Sequence, residues 1–424
     1  MTVQARPSMT PVTTSTSDGR SAAPQPAGGG SGTRLQVIFP SLARGGTEEY
    51  ALRIASAARG AGLEVHGAWP EVPAMRSLVA DWKDRRMTYH PLGIPVANDS
   101  PKTLTRMHHA ARCARTLALL WKVRPKVVLL ALPWPTFGLG AVVACALRCV
   151  PTMVSFQLVP WPATVIGRTL RAYRWARTRR QLWVVNSADG QRNLSATFQI
   201  TPQDIRIIRN GVNVSEFARD LPGKEGEAVR RQVRAEFGLA PDARLLVTVA
   251  RLHHQKGYGD LLAAARTLAR EFGDVRFLWV GDGDLRESLE REIRQAGLQE
   301  RILLAGYRPD LARFYRAADL FVFPTHFEGG ASFALVEAMA SGAPVVSSDA
   351  SGIPEVVEDR VHGLLFPAKN SDALTATLRH ALNHPGEMEA MARRGCARAA
   401  ELTEERMCRD TLDALIQLGH SRVP

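Results

Sequence analysis

Short apolar segments alternate with amphipathic segments along most of this chain, and this alternation limits its fold more than any other feature. In the first half, runs of strand length are separated by segments with helical spacing. The runs are 35–40, 126–132, 151–156 and 181–186, and the main helical segments are 104–122, 137–147 and 162–180. Such an alternation predicts a parallel sheet covered by helices on both faces.

A second series of the same kind begins at Arg244, with the strand-like runs RLLVTVAR, VRFLWVG, RILLAG, LFVFPT and PVVSSD. The sequence therefore predicts an α/β protein of two doubly wound, Rossmann-like domains that face each other across a cleft. The predicted parts are a disordered tail rich in Ser, Thr, Pro and Gly (1–33), an N-terminal domain (34–208), a linker (209–227), a C-terminal domain (228–392) and a helical segment that packs back toward the N-terminal domain (393–424).

Length and composition exclude several classes of protein. The chain has 424 residues, 45% of them hydrophobic and 22% charged, as expected for two globular domains. Its five cysteines show no metal-ligand spacing and form a poor disulfide framework, so a reducing compartment, the cytoplasm, is expected. No signal peptide or membrane span is predicted. A secreted disulfide scaffold, a membrane channel and a coiled-coil rod are excluded.

Two cations follow one strand of the second series. Because ligands of parallel sheets bind beyond the carboxyl ends of the strands, candidate binding residues belong in such loops. Arg251 ends the run LLVTVA, and Lys256 and Gly257 follow in the same loop. The planar fork of an arginine and the point charge of a lysine both suit a diphosphate. Two solvated surface cations are the alternative interpretation of this pair.

A glycine-rich loop follows a later strand, in FPTHFEGGASFALVEAMASGAPVV. Gly329 and Gly330 would let backbone amides approach a ligand, and the helix after them would favour an anion. Glu328 and Glu337 flank this loop and could accept hydrogen bonds from sugar hydroxyls. Together they indicate a nucleotide-sugar site, although either glutamate alone could be an ordinary helix-flanking residue.

These segments resemble the family 4 (group 1) glycosyltransferases of the GT-B fold. The resemblance covers Leu35 to about Leu418 and is sharper in the second half. It is carried by VARLHHQKGYGDLL, LWVGDGDLRESL, ILLAGYRPDLARFYRAADLFVFPTHFEGG, ALVEAMASGAPVVSSDASGIPEVV and, before the linker, IIRNGVNVSEF. The order and spacing of the five segments are more specific than any one of them.

The resemblance implies roles for individual residues. The N-terminal domain would bind the acceptor and the C-terminal domain the nucleotide-sugar donor. Arg251 and Lys256 would hold the donor diphosphate and Glu328 would face the donor sugar, and these three are the candidate catalytic residues. Glu337 would bind the ribose hydroxyls. The remaining donor-binding candidates are glycine-rich or loop positions: Gly306, Tyr307 and Arg308 at the base, Gly329, Gly330, Ala331 and Ser332 at the sugar and phosphate, and Gly45 and Gly46 at the phosphate or acceptor. A helix-entry turn explains Gly45 and Gly46 equally well.

The chain departs from the family pattern at two places. Eight residues separate Glu328 from Glu337, where the family usually has seven. The additional residue affects the role implied for Glu328 more than the role implied for Glu337. Many members carry a histidine where this chain has Gln157, which can form hydrogen bonds but cannot titrate.

No metal or other cofactor is expected. Asp282 and Asp284 have the form of a metal-binding DxD pair, but they lie in a turn that this family commonly has, and a lone pair is a weak site. The resemblance implies retention of anomeric configuration without a metal, with the donor phosphate helping to take the acceptor proton. Positioning and charge stabilisation would then carry the catalysis, and closure of the domains would exclude water.

The basic charge of the protein is concentrated in one region. The chain has 54 basic and 41 acidic residues, and 100–188 holds 14 basic residues and no acidic one. Arg168, Arg171, Arg174 and Arg177 are spaced by three in a predicted helix, as in helices that lie on an anionic membrane surface. A solvated basic face is the alternative, and the absence of a recognition module does not favour nucleic acid.

The sequence thus predicts a retaining, metal-independent glycosyltransferase that moves a hexose-type sugar from a nucleotide-sugar donor to a glycan or lipid-linked acceptor. It would act in the cytoplasm or at the inner face of the membrane, in building a surface polysaccharide or glycolipid. Two alternatives stay open: a non-catalytic, membrane-associated assembly component with a transferase fold, and a nucleotide-sugar epimerase. Donor base, sugar, acceptor, linkage and oligomeric state are not determined by the sequence.

Overall fold

The computed structural model describes residues 32–93, 102–218 and 224–420. The predicted disordered tail lies outside the described residues except for its last two positions, and so does part of the predicted linker, 219–223.

The first domain is built on seven parallel strands in the order β3-β2-β1-β4-β5-β6-β7. The strands are β1 Arg34–Ile38, β2 Glu64–Trp69, β3 Thr88–Pro91, β4 Val127–Leu132, β5 Thr152–Phe156, β6 Gln181–Val185 and β7 Ile205–Ile207. The helices are α1 Gly46–Gly60, α2 Arg76–Asp84, α3 Lys102–Val123, α4 Leu139–Leu147, α5 Gly167–Arg177 and α6 Ala188–Phe198. The one-turn helix α7 Val214–Phe217 follows them and packs against the second domain.

Two hydrophobic layers hold this sheet, one on each face. Side chains alternate along a strand, so β4, which is apolar throughout, contributes to both layers: Val127, Leu129 and Ala131 to one, and Val128, Leu130 and Leu132 to the other. Helices α1 and α2 cover the first layer, and α3, α4, α5 and α6 cover the second. The predicted double winding is confirmed.

The second domain contains six parallel strands in the order β10-β9-β8-β11-β12-β13. Its elements are α8 Lys224–Glu236, β8 Arg244–Val249, α9 Tyr258–Glu271, β9 Val275–Val280, α10 Arg286–Gln295, β10 Ile302–Gly306, α11 Leu311–Ala317, β11 Leu320–Phe323, α12 Phe333–Ala340, β12 Val345–Ser348, β13 Leu364–Phe366, α13 Ser371–Asn383 and α14 Pro385–Ala399. It too has a hydrophobic layer on each face of the sheet.

The last helix, α15 Glu404–His420, lies on the first domain. It packs against α1, and its side chains Met407, Cys408, Ala414 and Leu415 belong to the same hydrophobic layer as Tyr50 of α1. The chain therefore crosses between the domains twice, once before α7 and once between α14 and α15.

The structure differs from the predicted elements in three ways, the first being that helices α2, α6 and α8 were not predicted. The helix predicted over 162–180 begins only at Gly167, because Ile166 is extended and Gly167 has a φ of +60°, and it ends at Arg177. The sequence also does not predict the edge strands β3, β7 and β13, since three or four residues are too few to show an alternation.

Candidate functional site

The loops that follow the central strands of both sheets meet between the two domains. Those after β8 and β11 in the second domain contact each other, and the β11 loop also contacts the loops after β5 and β6 in the first. This edge is where ligands of doubly wound sheets bind.

Gly257 fixes the loop after β8. Its φ is +70°, and a Cβ there would lie 1.9 Å from the carbonyl oxygen of Pro324 in the neighbouring loop. The backbone amide of His326 donates to the carbonyl of Gln255 at 2.7 Å, so the two loops brace each other. Only glycine permits this close approach, which sets the position of Lys256.

Lys256 and Glu328 come together at this edge. The lysine ammonium pairs with Glu328 Oε1, and Gln255 Nε2 donates to the carbonyl of Phe327 at 2.9 Å. Both charged side chains are largely buried. The extra residue between the two glutamates has therefore not removed Glu328 from the cation that the sequence analysis assigned to the same site.

Arg251 has a different environment. It follows β8 on the same loop as Lys256 but is exposed, and no described residue pairs with its guanidinium. A cation with its donors free beside a paired lysine suits an anionic ligand.

The loop with Gly329 and Gly330 is pressed against the first domain. A Cβ at Gly329 would lie 2.0 Å from the carbonyl of Gln157, and one at Gly330 would lie 2.7 Å from Cβ of Ser187. Ser187 Oγ donates to the Gly329 carbonyl at 2.7 Å. The two glycines therefore allow the backbones of the two domains to approach closely. The predicted contacts of these glycines, Ala331 and Ser332 with a donor stay predictions.

Gln157 is part of a buried hydrogen-bonded group beside this contact. Its Nε2 donates to Ser155 Oγ at 2.7 Å, its Oε1 accepts from Asn210 Nδ2 at 3.2 Å, and its carbonyl accepts from Asn186 Nδ2 at 3.0 Å. With both side-chain ends engaged, Gln157 holds the strand ends of the first domain in place.

Glu337 lies on α12 and is almost completely buried. Tyr315 donates to its Oε2 at 2.9 Å, and Arg53 of the first domain donates to its Oε1 at 3.4 Å. Burial raises the pKa of this carboxyl, while Arg53 and Tyr315 act to lower it. The sequence motif indicates Glu337, but nothing in the sequence distinguishes Arg53, which lies mid-helix among ordinary helix formers.

A second contact between domains was also missed. Glu355 of the second domain accepts the backbone amides of Ala188 at 2.9 Å and Asp189 at 2.8 Å, at the start of α6. Ser187 is the N-cap of this helix, and its Oγ accepts a hydrogen bond from the backbone amide of Gly190 at 3.0 Å. Glu355 lies within GIPEVV, one of the segments that carried the resemblance, but the sequence could not show what the carboxylate contacts.

Gly45 and Gly46 form the turn into α1. The Gly45 amide donates to Glu48 Oε2 at 2.8 Å, and Gly46 lies near the ring of Phe333 across the cleft. Burial is the main cause that raises the pKa of Glu48 to about 7. These contacts agree with a helix-entry turn that also faces the other domain.

Gly306 is the last residue of the edge strand β10, and Tyr307 and Arg308 follow it. Gly306 has a φ of +71°, its carbonyl accepts from Gly281 N at 2.9 Å, and the Tyr307 side chain is exposed. Arg308 is bound within the domain, to Glu236 at 3.3 Å. Tyr307 is thus the one residue of the three whose side chain is mostly available to a ligand.

Three aromatic side chains form a half-exposed cluster across the cleft. Trp134 and Trp161 come from the loops after β4 and β5, and Phe327 precedes Glu328. The Trp161 and Phe327 ring centroids are 4.9 Å apart, and those of Trp134 and Trp161 are 5.3 Å apart. This cluster places flat apolar surface beside Glu328.

The candidate metal ligands lie elsewhere. Asp282 and Asp284 are both exposed, and Asp282 pairs with Arg286 at 3.8 Å. Among the described residues, one group of three potential ligands is close enough to share an ion: His380, His384 and Glu387, at the junction of α13 and α14.

The arginines of α5 only partly match the predicted stripe. Arg168, Arg171 and Arg174 are exposed, but Arg177 is half-buried and pairs with Asp204 at 3.1 Å. None of the helices that the structure describes is both long enough and apolar enough to cross a bilayer.

Two family patterns match the chain, one in each domain. The pattern described as Glycosyltransferase Family 4 matches residues 44–216, and that described as Glycosyl transferases group 1 matches residues 229–398.

Curated relatives match over part of the chain. The D-inositol 3-phosphate glycosyltransferase of Segniliparus rotundus is 33% identical over 230 residues, which are 52% of this chain and 49% of that protein. The amylovoran biosynthesis glycosyltransferase AmsK of Erwinia amylovora is 39% identical over 140 residues, 31% of this chain and 34% of that protein. The chain spans about half or less of the length of these relatives.

Solved structures match over nearly the whole chain. A glycosyltransferase from Rickettsia africae has a TM-score of 0.75 at 15% identity, covering 92% of this chain and 99% of its own. Anabaena Alr3699/HepE, solved in complex with UDP, has a TM-score of 0.74 at 18% identity, covering 91% and 100%. These matches show the two-domain GT-B fold. The two family patterns, which together cover most of the chain, show that the chain belongs to the group 1 glycosyltransferases of family 4.

Proposed function

We propose that this protein transfers a hexose-type sugar from a nucleotide-sugar donor to a glycan or lipid-linked acceptor, with retention and without a metal ion, in building a cell-surface polysaccharide or glycolipid. The observation that carries the proposal is the pairing of Lys256 with Glu328 at the carboxyl edge of the second sheet, against the first domain. One cation for phosphate and one carboxylate for sugar hydroxyls stand side by side there.

The residues fit a reaction in which charge develops on a departing diphosphate. Arg251 and Lys256 would bind that diphosphate and neutralise the charge that grows on it. Glu328 would hold a sugar hydroxyl, and Gln157, which cannot titrate, would not take the acceptor proton. Acceptor deprotonation by a donor phosphate oxygen, on the face from which the diphosphate departs, would give retention.

Two comparisons support parts of this proposal. HepE, which shares the fold, was solved with UDP and with UDP-glucose, so this two-domain arrangement accommodates a nucleotide-sugar. AmsK is named for biosynthesis of the polysaccharide amylovoran. The identity of base, sugar and acceptor is left to experiment.

Thermal unfolding with UDP, GDP, ADP and dTDP tests the donor site. Ligand at about 100 times its dissociation constant adds about 2.7 kcal/mol, enough for a shift of several degrees. We expect one nucleotide to shift the wild type and to lose its effect in Arg251→Ala/Lys256→Ala. The exposed pair Arg291→Ala/Arg294→Ala removes the same charge from α10 and should keep the shift.

Two results would contradict the proposal. A protein that melts cooperatively and responds to none of the four nucleotides would be the non-catalytic assembly component. Conversion of a nucleotide-sugar to its epimer without any acceptor would identify an epimerase.

We further propose that the first domain lies on an anionic membrane through the outer face of α3, α4 and α5. This face combines exposed arginines of α5 with exposed apolar side chains, namely Trp121 of α3, Leu147 of α4, Trp175 of α5 and Ile166 just before it. It lies in the region without acidic residues, and Arg148 stacks on Trp121 at 4.2 Å. Each basic residue near such a surface contributes about 1 kcal/mol.

Vesicle flotation tests this placement. The protein should float with phosphatidylglycerol vesicles, less at high salt, and not with phosphatidylcholine vesicles. Arg168→Gln/Arg171→Gln/Arg174→Gln should lose most of the binding, whereas Arg266→Gln/Arg270→Gln/Arg291→Gln, which removes the same charge from exposed sites of the second domain, should retain it. Equal flotation of the two variants would refute the proposed surface.

A further inference from the structure

Arg53, in the middle of α1, reaches across the cleft and contacts α12. Its Nη2 lies 3.4 Å from Glu337 Oε1, and its Cζ lies 4.4 Å from the centroid of the Phe333 ring. Its other terminal nitrogen, Nη1, lies 3.1 Å from Glu404 Oε2 on α15. The side chain is mostly buried, so one guanidinium joins three helices away from bulk water.

The two contacts on α12 follow from helix geometry. Phe333 and Glu337 are four residues apart and therefore lie on the same face of α12. A guanidinium can stack its flat face on a ring while its edge donates to a carboxylate, which a lysine cannot do. Arg53 is thus matched to this pair in shape as well as in charge.

The Glu337 carboxylate depends on its neighbours for its charge. Four groups act on it: Arg53 from α1, Tyr315 from α11, Glu216 from α7 and, through Arg53, Glu404 from α15. Packing with α14, at the other end of α12, includes the Cys396 thiol, which contacts the Met339 carbonyl. Burial disfavours the charged form, and Arg53 is the largest influence in its favour.

We infer that Arg53 is a positioning residue for the donor nucleotide: from the opposite domain it keeps the Glu337 carboxylate charged and oriented to accept hydrogen bonds from the ribose. This rests on the proposed function and, within it, on the role that the family resemblance implies for Glu337, at the ribose of the donor. Because α1 must meet α12 for the contact to form, the ribose site is complete only while the domains touch, and donor affinity is thereby linked to closure.

Calorimetric binding of UDP between about pH 6 and about pH 8.5 tests the inference. Arg53→Met keeps the apolar stem and removes the charge, so the pKa of Glu337 rises further and the carboxyl becomes protonated as the pH falls. The affinity of Arg53→Met, relative to that of the wild type at the same pH, should weaken about tenfold or more toward the acid end, since one pKa unit is a tenfold change. A purely structural role of Arg53 would not produce this pH profile.

Three further variants isolate the contact. Arg53→Lys should restore most of the wild-type pH profile because it returns the charge. Arg59→Met removes an exposed charge from the last turn of the same helix and should keep wild-type binding. In a Glu337→Gln background, Arg53→Met should cause no additional loss, because its effect passes through Glu337. Melting temperatures establish that each variant is folded.

The outcomes separate the two proposals. If the wild type binds UDP and Arg53→Met binds it equally well at every pH, the inference is wrong and the proposed function stands. An additional loss from Arg53→Met in the Glu337→Gln background would also overturn it. If the wild type binds neither UDP nor GDP, ADP or dTDP, the proposed function fails, and the inference fails with it.

Discussion

Glu355 of the second domain accepts the backbone amide of Asp189 of the first domain at 2.8 Å. The carboxylate therefore lies at the positive end of α6, where an anion is stabilised by unpaired backbone amides and by the helix dipole. The contact belongs to the tertiary structure of two domains, since the residues are 166 positions apart in the chain.

Loss of this charge should loosen the contact between domains. For Glu355→Gln we expect about 1 kcal/mol less stability in urea unfolding, because the amide keeps an acceptor but loses the attraction to the helix terminus. Small-angle scattering should show a larger radius of gyration if the domains separate. Glu358→Gln, at an exposed position three residues on, is the matched control and should change neither quantity.

Gly257→Ala should displace the loop that carries Lys256. The new Cβ would lie 1.9 Å from the Pro324 carbonyl at a positive φ, so we expect a loss of about 2 kcal/mol or more of unfolding free energy. Nucleotide binding should weaken too, because Lys256 would move relative to Glu328. Gly259→Ala, within α9 and with open space around the added methyl group, should instead be neutral or stabilising by about 0.5–1 kcal/mol. Equal effects of the two substitutions would show that the close approach at Gly257 is unimportant.

Glu48 should make stability depend on pH. Burial raises its folded pKa from 4.5 to about 7, so the folded protein holds this proton more tightly than the unfolded chain. The protonated carboxyl therefore stabilises the folded state. This stabilisation is present in full below the unfolded pKa and is lost as the pH rises through about 7. Glu48→Gln cannot ionise and should gain stability relative to the wild type between about pH 5 and about pH 8, by at most about 3 kcal/mol. Urea unfolding of both proteins at the two pH values measures this difference, and Glu49→Gln serves as the control. A constant difference would contradict the raised pKa.

Most of the fold could be predicted from the sequence because it depends on local patterns. Val127 to Leu132 are all apolar, which indicates a strand buried on both faces, and the structure places them at the centre of the first sheet. The edge strands β3, β7 and β13, of three or four residues, carry too little pattern and were missed. The start of α5 was placed five residues too early because helical spacing alone does not show that Ile166 is extended.

The site was predictable where its residues are close along the chain. Arg251 and Lys256 share one loop, and Glu328 and Glu337 flank another, so their types and spacing already indicate an anion and sugar site. Arg53 and Glu355 were not predicted as partners of this site, because an arginine in a helix and a glutamate in a turn look like solvated surface residues in sequence. Their partners lie 284 and 166 residues away.

The sequence by itself determined the two doubly wound domains, the loops that carry the candidate phosphate-binding and sugar-binding residues, and the family. It could do so because strand and helix periodicity and loop motifs depend on residues that are close together in the chain. Only the tertiary structure decided how the domains meet. It showed that Gly329 and Gly330 approach Gln157 and Ser187. It also showed that Arg177 forms an ion pair with Asp204, and Glu337 with Arg53. The physical reason is that burial and counter-charge depend on distances in space, which the spacing of residues along a chain does not fix.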